Sequence, residues 1–243
     1  MTCAELLESL LEPEIEDADE ETFLLYSQPL PSSDLGFVDP RARTVEARVG
    51  GVDYTIHQSP GVLSSDRAGG TTGAVLWKIS PVFADWLASP TNFLFSTSLL
   101  DRASTILELG CGISPLNALA LAPRTLDWET DQLPPRRSYD AVLACDCVYN
   151  DALIAPLVQT CVEACRRRRQ EWERDEETAM GEDKRLRPSL CIVAQQLRDD
   201  DVFRAWLAAF VDEFRVWRVS DDKLPEVLRP SAGFVVHIGI LRE

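Results

Sequence analysis

The hydrophobic pattern along the chain predicts buried strands that alternate with helices. Short apolar runs bounded by turn residues predict strands over 104–109, 139–145 and 189–196. Apolar residues at helical spacing predict helices over 115–122, 151–166 and 199–214. Two later apolar segments, "RVWRV" and "GFVVHIGILR", predict closing strands and an antiparallel edge. This order indicates an α/β fold in which helices cover both faces of a mostly parallel sheet.

A β-hairpin is predicted ahead of this sheet, over residues 43–58. The segment alternates in polarity and pivots on Gly50-Gly51, which favours a tight turn. His57 then lies on a strand face, and this position does not favour a catalytic role. We expect the hairpin to be an appendage of one domain over residues 43–243.

Residues 1–42 are predicted to form an acidic, partly disordered N-terminal segment. The first 21 residues contain nine acids and no base. Leu6, Leu7, Leu10 and Leu11 form a short amphipathic stripe that Pro13 ends. A helix that docks on a partner or on the domain is one interpretation, and the composition favours a frayed tail over it.

A charged loop is predicted over residues 167–188. It follows the helix that we expect to end near residue 166, and it begins within the run Arg166–Arg169. Nearby Glu and Asp residues largely neutralise these arginines. A solvated helix end followed by an insertion is therefore favoured over a basic binding patch.

The composition suits one globular domain and narrows the class of partner. The 243 residues are 45% hydrophobic and carry a formal net charge of −16. This charge disfavours direct nucleic-acid binding and is compatible with a basic protein partner. Apolar runs long enough to span a bilayer are absent, so we expect no membrane association.

The cysteine pattern predicts free thiols and no metal site. Seven cysteines lie mostly in apolar runs, none in a metal-like array, and the chain has two histidines. A reducing, cytoplasmic location is the expectation that follows.

The stretch "ILELGCGISP" carries the first candidate chemistry. A strand that ends in a Gly-x-Gly turn and leads into a helix forms a cofactor cradle in doubly wound folds. Gly110, Cys111 and Gly112 form the turn, and Glu108 precedes it. The third glycine of the dinucleotide pattern is missing, and the turn instead fits S-adenosylmethionine. The Glu108 carboxylate either orients this cradle or meets the ligand's ammonium group.

Three further blocks, "TTGAVLW", "TLDWE" and "ACDCVYN", flank this turn in order. They contain Trp77, Trp128, Cys145, Asp146 and Tyr149. Singly, the tryptophans are explained as core aromatics and the aspartate as a helix cap. Their order and their placement around the glycine turn are not explained by these separate roles.

The four blocks together resemble the seven-β-strand protein lysine methyltransferases, specifically the fungal ribosomal lysine N-methyltransferase 5 group. The resemblance covers roughly residues 43–241. It implies a class I, Rossmann-like fold, S-adenosyl-L-methionine as cofactor, and a lysine of a large-subunit ribosomal protein as substrate. It also implies cofactor contacts at Trp77, Gly110, Cys111, Gly112, Trp128 and Cys145, and we count Glu108 with them because it precedes the turn. Separately, we expect the chain to be a monomer.

By the same resemblance, Asp146 and Tyr149 are the catalytic residues beside the incoming lysine. A free lysine, with a pKa of about 10.4, is almost fully protonated at neutral pH. The site therefore has to admit the amine, help to remove its proton and align it with the methyl group. We expect Asp146 to accept a hydrogen bond from the amine and Tyr149 to wall the channel.

A segment that this fold normally contains is missing from the sequence. Only Ala122-Pro123-Arg124 separates the helix 115–122 from the "TLDWE" block. A strand–helix–strand unit needs about 30 residues or more. The second strand, its following helix and much of the third strand are therefore predicted to be absent, together with the carboxylate that binds ribose. Glu129 and Asp131 are possible substitutes for it.

Because this segment is missing, several interpretations of the chain's origin and function stay open. A degenerate natural variant competes with a gene model in which coding sequence was spliced out, and the intact flanking blocks favour the latter. A non-catalytic binding protein that has lost the cofactor is the second functional hypothesis. A methyltransferase of small molecules is the third.

Overall fold

A computed structural model describes residues 1–31, 36–65, 71–121, 124–126, 138–178 and 187–242. Their helices are α1 Cys3–Leu10, α2 Ala18–Tyr26, α3 Pro60–Leu63, α4 Ile79–Ala88, α5 Phe93–Ser96, α6 Leu116–Leu121, α7 Asp151–Thr178 and α8 Asp200–Glu213. Their strands are β1 Thr44–Val49, β2 Val52–His57, β3 Ile106–Leu109, β4 Arg124–Leu126, β5 Ala141–Cys145, β6 Leu190–Gln196, β7 Phe214–Arg218 and β8 Phe234–Leu241.

The main sheet has six hydrogen-bonded strands in the order β4-β3-β5-β6-β8-β7. Strands β4, β3, β5 and β6 run parallel, and β8 pairs antiparallel with both β6 and β7. The predicted α/β architecture with an antiparallel edge is confirmed. It is consistent with a methyltransferase fold.

The central strands are buried throughout and mostly apolar because both faces of the sheet are covered. Alternate residues of a strand point to opposite faces. Leu107 and Leu109 of β3 share one core with Trp206 of α8, whereas Ile106 shares the other with Phe83 of α4. Continuous burial along β3, β5 and β6 is the physical basis of the apolar runs in the sequence.

The predicted hairpin is confirmed as β1 and β2. Gly50 and Gly51 have φ values of 58° and 81°, the left-handed pair that a tight hairpin turn requires. The backbone N–H of Gly50 donates to Asp85 Oδ1 of α4 at 2.9 Å, which ties the hairpin to the domain. His57 is exposed at the end of β2, so it is a strand-face residue as expected.

The N-terminal residues form two packed helices where the sequence favours a frayed tail. Thr2 and Glu5 form a reciprocal capping box at the start of α1, and Leu7 is fully buried. The N–H groups of Glu12 and Ile15 donate to carbonyls of the edge strand β7 at 3.1 and 2.8 Å. The leucine stripe therefore covers the sheet, as in the disfavoured docking interpretation. The boundary at residue 42 stays a prediction.

Helix α7 continues beyond residue 166, where the sequence predicts a charged loop. Arg167 pairs with Glu163 one turn earlier at 2.6 Å, and Arg168 pairs with Asp140 at 2.8 Å. These pairs stabilise the helix just beyond residue 166, and the helix runs to Thr178. The predicted loop start at 167 is thus wrong, and residues 179–186 lie outside the described part.

Strand β4 fills the place beside β3, with Leu126 opposite Leu109. In the described residues between α6 and β5 it is the one strand, and it is three residues long. Residues 122–123 and 127–137 lie outside the description, so the absence of a strand–helix–strand unit stays a prediction.

All seven cysteines are free thiols, five of them buried, which confirms that prediction. Within the ranges given above, none of the helices is both long and apolar enough to cross a membrane. The same ranges contain no group of three or more His, Cys, Asp or Glu residues that could hold a metal ion.

Candidate active site

The glycine turn lies at the carboxyl end of β3 and leads into α6. Gly110 and Gly112 have φ values of 67° and 55°, a backbone region that other residues rarely adopt. Both are exposed, and Cys111 between them is half-buried. The turn therefore presents open backbone at the edge where ligands of α/β folds bind.

A second loop, residues 71–74, touches this turn. The backbone N–H of Ile113 donates to the Gly73 carbonyl at 2.9 Å. A Cβ atom on Gly112 would lie 3.0 Å from that carbonyl oxygen, which is tighter than most real Cβ contacts, so the backbone of the loop would have to shift. Close loop contact is thus a second reason for glycine here, besides the approach of a ligand.

Glu108 is buried beneath the turn, with 1% of its surface exposed. The Asn117 side chain on α6 donates to Glu108 Oε1 at 2.6 Å, so the carboxylate joins β3 to the helix that follows the turn. Of the two interpretations of Glu108, this contact supports orientation of the cradle.

The carboxyl end of β5 carries Cys145 and Asp146. Cys145 is buried, and burial raises the pKa of its thiol well above the ordinary value, so the group is a neutral thiol at neutral pH. Asp146 has a φ of 59°, unusual for a residue other than glycine. Its backbone N–H donates to the Ala194 carbonyl of β6 at 2.8 Å, which fixes this conformation.

Asp146 is ion-paired with Arg198, which follows β6. The Asp146 side chain is 2% exposed and that of Arg198 is 17% exposed. Burial raises the pKa of Asp146, and the charge and hydrogen bond of Arg198 oppose this shift. The Gln196 backbone N–H approaches Asp146 Oδ1 at 3.4 Å.

Trp77 reaches the same cluster from the other side. Its indole N–H donates to the Thr72 carbonyl at 3.2 Å, and its ring packs at 4.6 Å from the Phe37 ring. The Arg198 guanidinium carbon lies 4.8 Å from the centre of the Trp77 ring. One arginine thus bridges Trp77 and Asp146.

The structure brings most of the candidate residues to one edge of the sheet. β3 and β5 are parallel neighbours, and the Cys147 thiol donates to the Leu109 carbonyl at 3.3 Å just before the glycine turn. Tyr149 is half-buried between β5 and α7. Trp128 lies outside the described residues, as do Glu129 and Asp131.

Arg198, Gln196 and Asn117 belong to this site, and sequence reasoning missed them. Each follows or faces the end of a predicted strand: Gln196 ends β6, Arg198 comes two residues later, and Asn117 lies in the first turn of α6. Polar residues at the carboxyl ends of strands 139–145 and 189–196 were the available signal, because neighbouring parallel strands end at the same edge.

A comparison with known families finds a match at this site. Residues 115–170 match the family model described as lysine methyltransferase. The matched segment contains α6, β5, Asp146 and Tyr149. This match supports the interpretation that the chain is a methyltransferase.

Two curated proteins are similar to the chain. A diaminohydroxyphosphoribosylamino-pyrimidine deaminase of Schizosaccharomyces pombe is 28% identical over 253 residues, which cover 89% of this chain and 56% of that protein. Ribosomal lysine N-methyltransferase 5 of Zygosaccharomyces rouxii is 37% identical over 84 residues, which cover 28% of this chain and 26% of that protein. The chain thus spans about half the length of the first and about a quarter of the second.

The alignment with the deaminase contains gaps, and this sequence lacks motifs that zinc-dependent deaminases use. The alignment has 253 positions but covers 89% of the 243-residue chain, so it contains gaps opposite this chain. Zinc-dependent nucleobase deaminases use His-x-Glu and Cys-x-x-Cys motifs. Neither pattern occurs in this sequence.

Proposed function

We propose that the chain is an S-adenosylmethionine-dependent protein-lysine N-methyltransferase that acts on a lysine of a large-subunit ribosomal protein. The family match over residues 115–170 carries this proposal. The similarity to a ribosomal lysine N-methyltransferase supports the substrate class. The acidic chain, with a net charge of −16, is compatible with a basic substrate.

The turn residues fit the amino-acid end of the cofactor. Gly110 and Gly112 leave backbone open at the carboxyl end of β3, and Glu108 beneath them is fixed by Asn117. A ribose-binding acid normally follows the strand beside β3. Here that strand ends at Leu126, and the next residue in the sequence is Asp127, which lies outside the described residues. We infer that Asp127 supplies this carboxylate.

Asp146 and Tyr149 act on the amine in this proposal. Bound S-adenosylmethionine supplies a methyl group on a positively charged sulfur. Asp146 accepts a hydrogen bond from the lysine amine and aligns it, and its fixed backbone keeps that acceptor in one place. Tyr149 limits the directions from which the amine approaches. The protein thus positions the reactants and tunes the charge around them.

Methyl transfer to ribosomal proteins tests this function. The purified chain is incubated with methyl-labelled S-adenosylmethionine and large ribosomal subunits from a strain that lacks the gene, and labelled lysines are mapped by mass spectrometry. Asp146→Asn should lower kcat/KM about 100-fold, since loss of the charged acceptor misplaces the amine. Asp53→Asn, on the exposed hairpin, is the control. Label on no lysine, from a folded and cofactor-binding protein, would contradict the proposal.

A non-catalytic binding protein is the alternative that one observation favours. Only Ala122-Pro123-Arg124 separates the helix predicted over 115–122 from the "TLDWE" block, which is too little sequence for a strand–helix–strand unit. This short connection is in keeping with the loss of part of the cofactor site, either in a natural variant or through a mis-spliced gene model. Capture of a ribosomal protein without S-adenosylmethionine binding would support this alternative.

A further inference from the structure

Three groups from different elements meet around the guanidinium of Arg198. The Trp77 ring lies 4.8 Å from its carbon, Asp146 Oδ2 accepts from a terminal nitrogen, and Gln196 Oε1 accepts from the same nitrogen at 3.2 Å. An aromatic face, a carboxylate and an amide oxygen are groups with which proteins bind organic cations. These three side chains, here called the cation pocket, would suit a cation other than Arg198.

The walls of the cation pocket are rigidly placed. Asp146 is held in its left-handed conformation by the hydrogen bond to β6, and such conformations cluster where function requires them. Residues 36–38 pair with 76–78 beside Trp77, through bonds of 2.8 and 2.9 Å. A Cβ on Gly36 would overlap Gln196 Oε1, so the backbone closes tightly over the amide.

Arg198 itself is less deeply buried than the Asp146 wall of this pocket. Its Nε is buried without a hydrogen-bond partner in the described part of the chain. Its side chain is 17% exposed, against 2% for Asp146. A buried donor without a partner carries a desolvation penalty, so the pocket does not satisfy this arginine fully. Another cation can therefore compete with it.

We propose that Trp77, Asp146 and Gln196 form a cation-binding site whose internal occupant is Arg198, which an entering alkylammonium or alkylguanidinium group displaces. Under the proposed function, on which this reading rests, the entering group is the substrate lysine, and Arg198 restricts its entry. The occupied state lowers the apparent affinity for any external cation by the fraction of molecules in which the pocket is open.

Titration with ethylguanidinium tests directly whether an external cation displaces Arg198 from the cation pocket. Nitrogen-15 spectra resolve the indole N–H signals of the six tryptophans, and Trp77→Phe identifies the one that reports on the pocket. In Arg198→Ala this signal should shift and saturate at a concentration about tenfold or more below that needed in the wild type. Arg204→Ala, an exposed arginine on α8, should behave as the wild type. Adding Asp146→Asn to Arg198→Ala should abolish the saturable shift.

Three results would overturn the inference. One is an equal response of the wild type and Arg198→Ala, and another is a response that survives Asp146→Asn. The third is loss of the fold in both Arg198→Ala and Arg198→Gln, because a displaceable occupant is not essential for folding. The titration needs no methyl transfer, so an inactive protein can still show displacement. If the enzyme is active but the wild type and the variants titrate alike, the proposed function stands and this inference is wrong.

Discussion

At the scale of single residues, Gly112 and Asp146 adopt left-handed backbone conformations for different reasons. Gly112 avoids a clash with the Gly73 carbonyl, and it lets the loop 71–74 pack on the glycine turn. Asp146 pairs its backbone with β6 and buries its carboxylate against Arg198. Glycine at position 112 is thus required for close packing, whereas the conformation of Asp146 fixes a charged group at the site.

Gly112→Ala should destabilise the protein by about 1–3 kcal/mol, because it combines backbone strain with a clash between loops. Gly51→Ala is the matched control, since Gly51 also has a positive φ but no atom lies within 4 Å of its added Cβ. Urea unfolding of both variants gives the difference. Equal losses would mean that the loop contact contributes nothing in solution.

At the scale of elements, the helices and strands that were predicted correctly are those with many apolar residues. Strands β3, β5 and β6 were predictable because burial on both faces leaves continuous apolar runs. The end of α7 was missed because the helix continues past residue 166 through a charged run, in which Arg167 and Arg168 are ion-paired. The docking of α1 was disfavoured because nine acids obscure a short leucine stripe.

At the candidate site, residues in recognisable motifs were predictable, and their partners were not. Asp146 follows an apolar strand within a distinctive block, so its place at the sheet edge could be foreseen. Arg198 lies 52 residues later, and nothing in the sequence states that its guanidinium turns back to Asp146 and Trp77. Such pairings depend on three-dimensional placement, which spacing alone does not encode.

Helix α2 is joined to the sheet by a buried charged cluster. Glu21 Oε1 lies 2.9 Å from Arg218 Nε of β7 and 3.3 Å from His237 Nε2 of β8. Burial alone would raise the pKa of Glu21, but His237 and Arg218 outweigh it and lower that pKa. The folded state therefore favours the ionised carboxylate.

Glu21→Gln should cost about 1–3 kcal/mol of unfolding free energy at pH 7, because it leaves buried charge without its partner. A lowered folded-state pKa stabilises above the unfolded value, 4.5 for this group, and the gain is lost as pH falls through the folded pKa. The difference from wild type should thus shrink below about pH 4. Urea unfolding across pH measures it, with the exposed Glu20→Gln as control. A difference independent of pH would contradict the role of the charge.

At the scale of the whole molecule, the central claim is that this 243-residue chain forms a cofactor site despite a short connection between α6 and β5. The sheet is continuous across this region because β4 pairs with β3. The glycine turn and the ends of β5 and β6 share one edge. We expect these features to suffice for binding.

Calorimetric titration of S-adenosylmethionine into the purified chain tests this claim most directly. The account predicts one site with a dissociation constant of about micromolar order, weakened about tenfold by Asp127→Asn through a lost charged hydrogen bond. Asp53→Asn should leave the affinity unchanged. Absence of binding from a protein that circular dichroism and cooperative unfolding show to be folded would contradict the account.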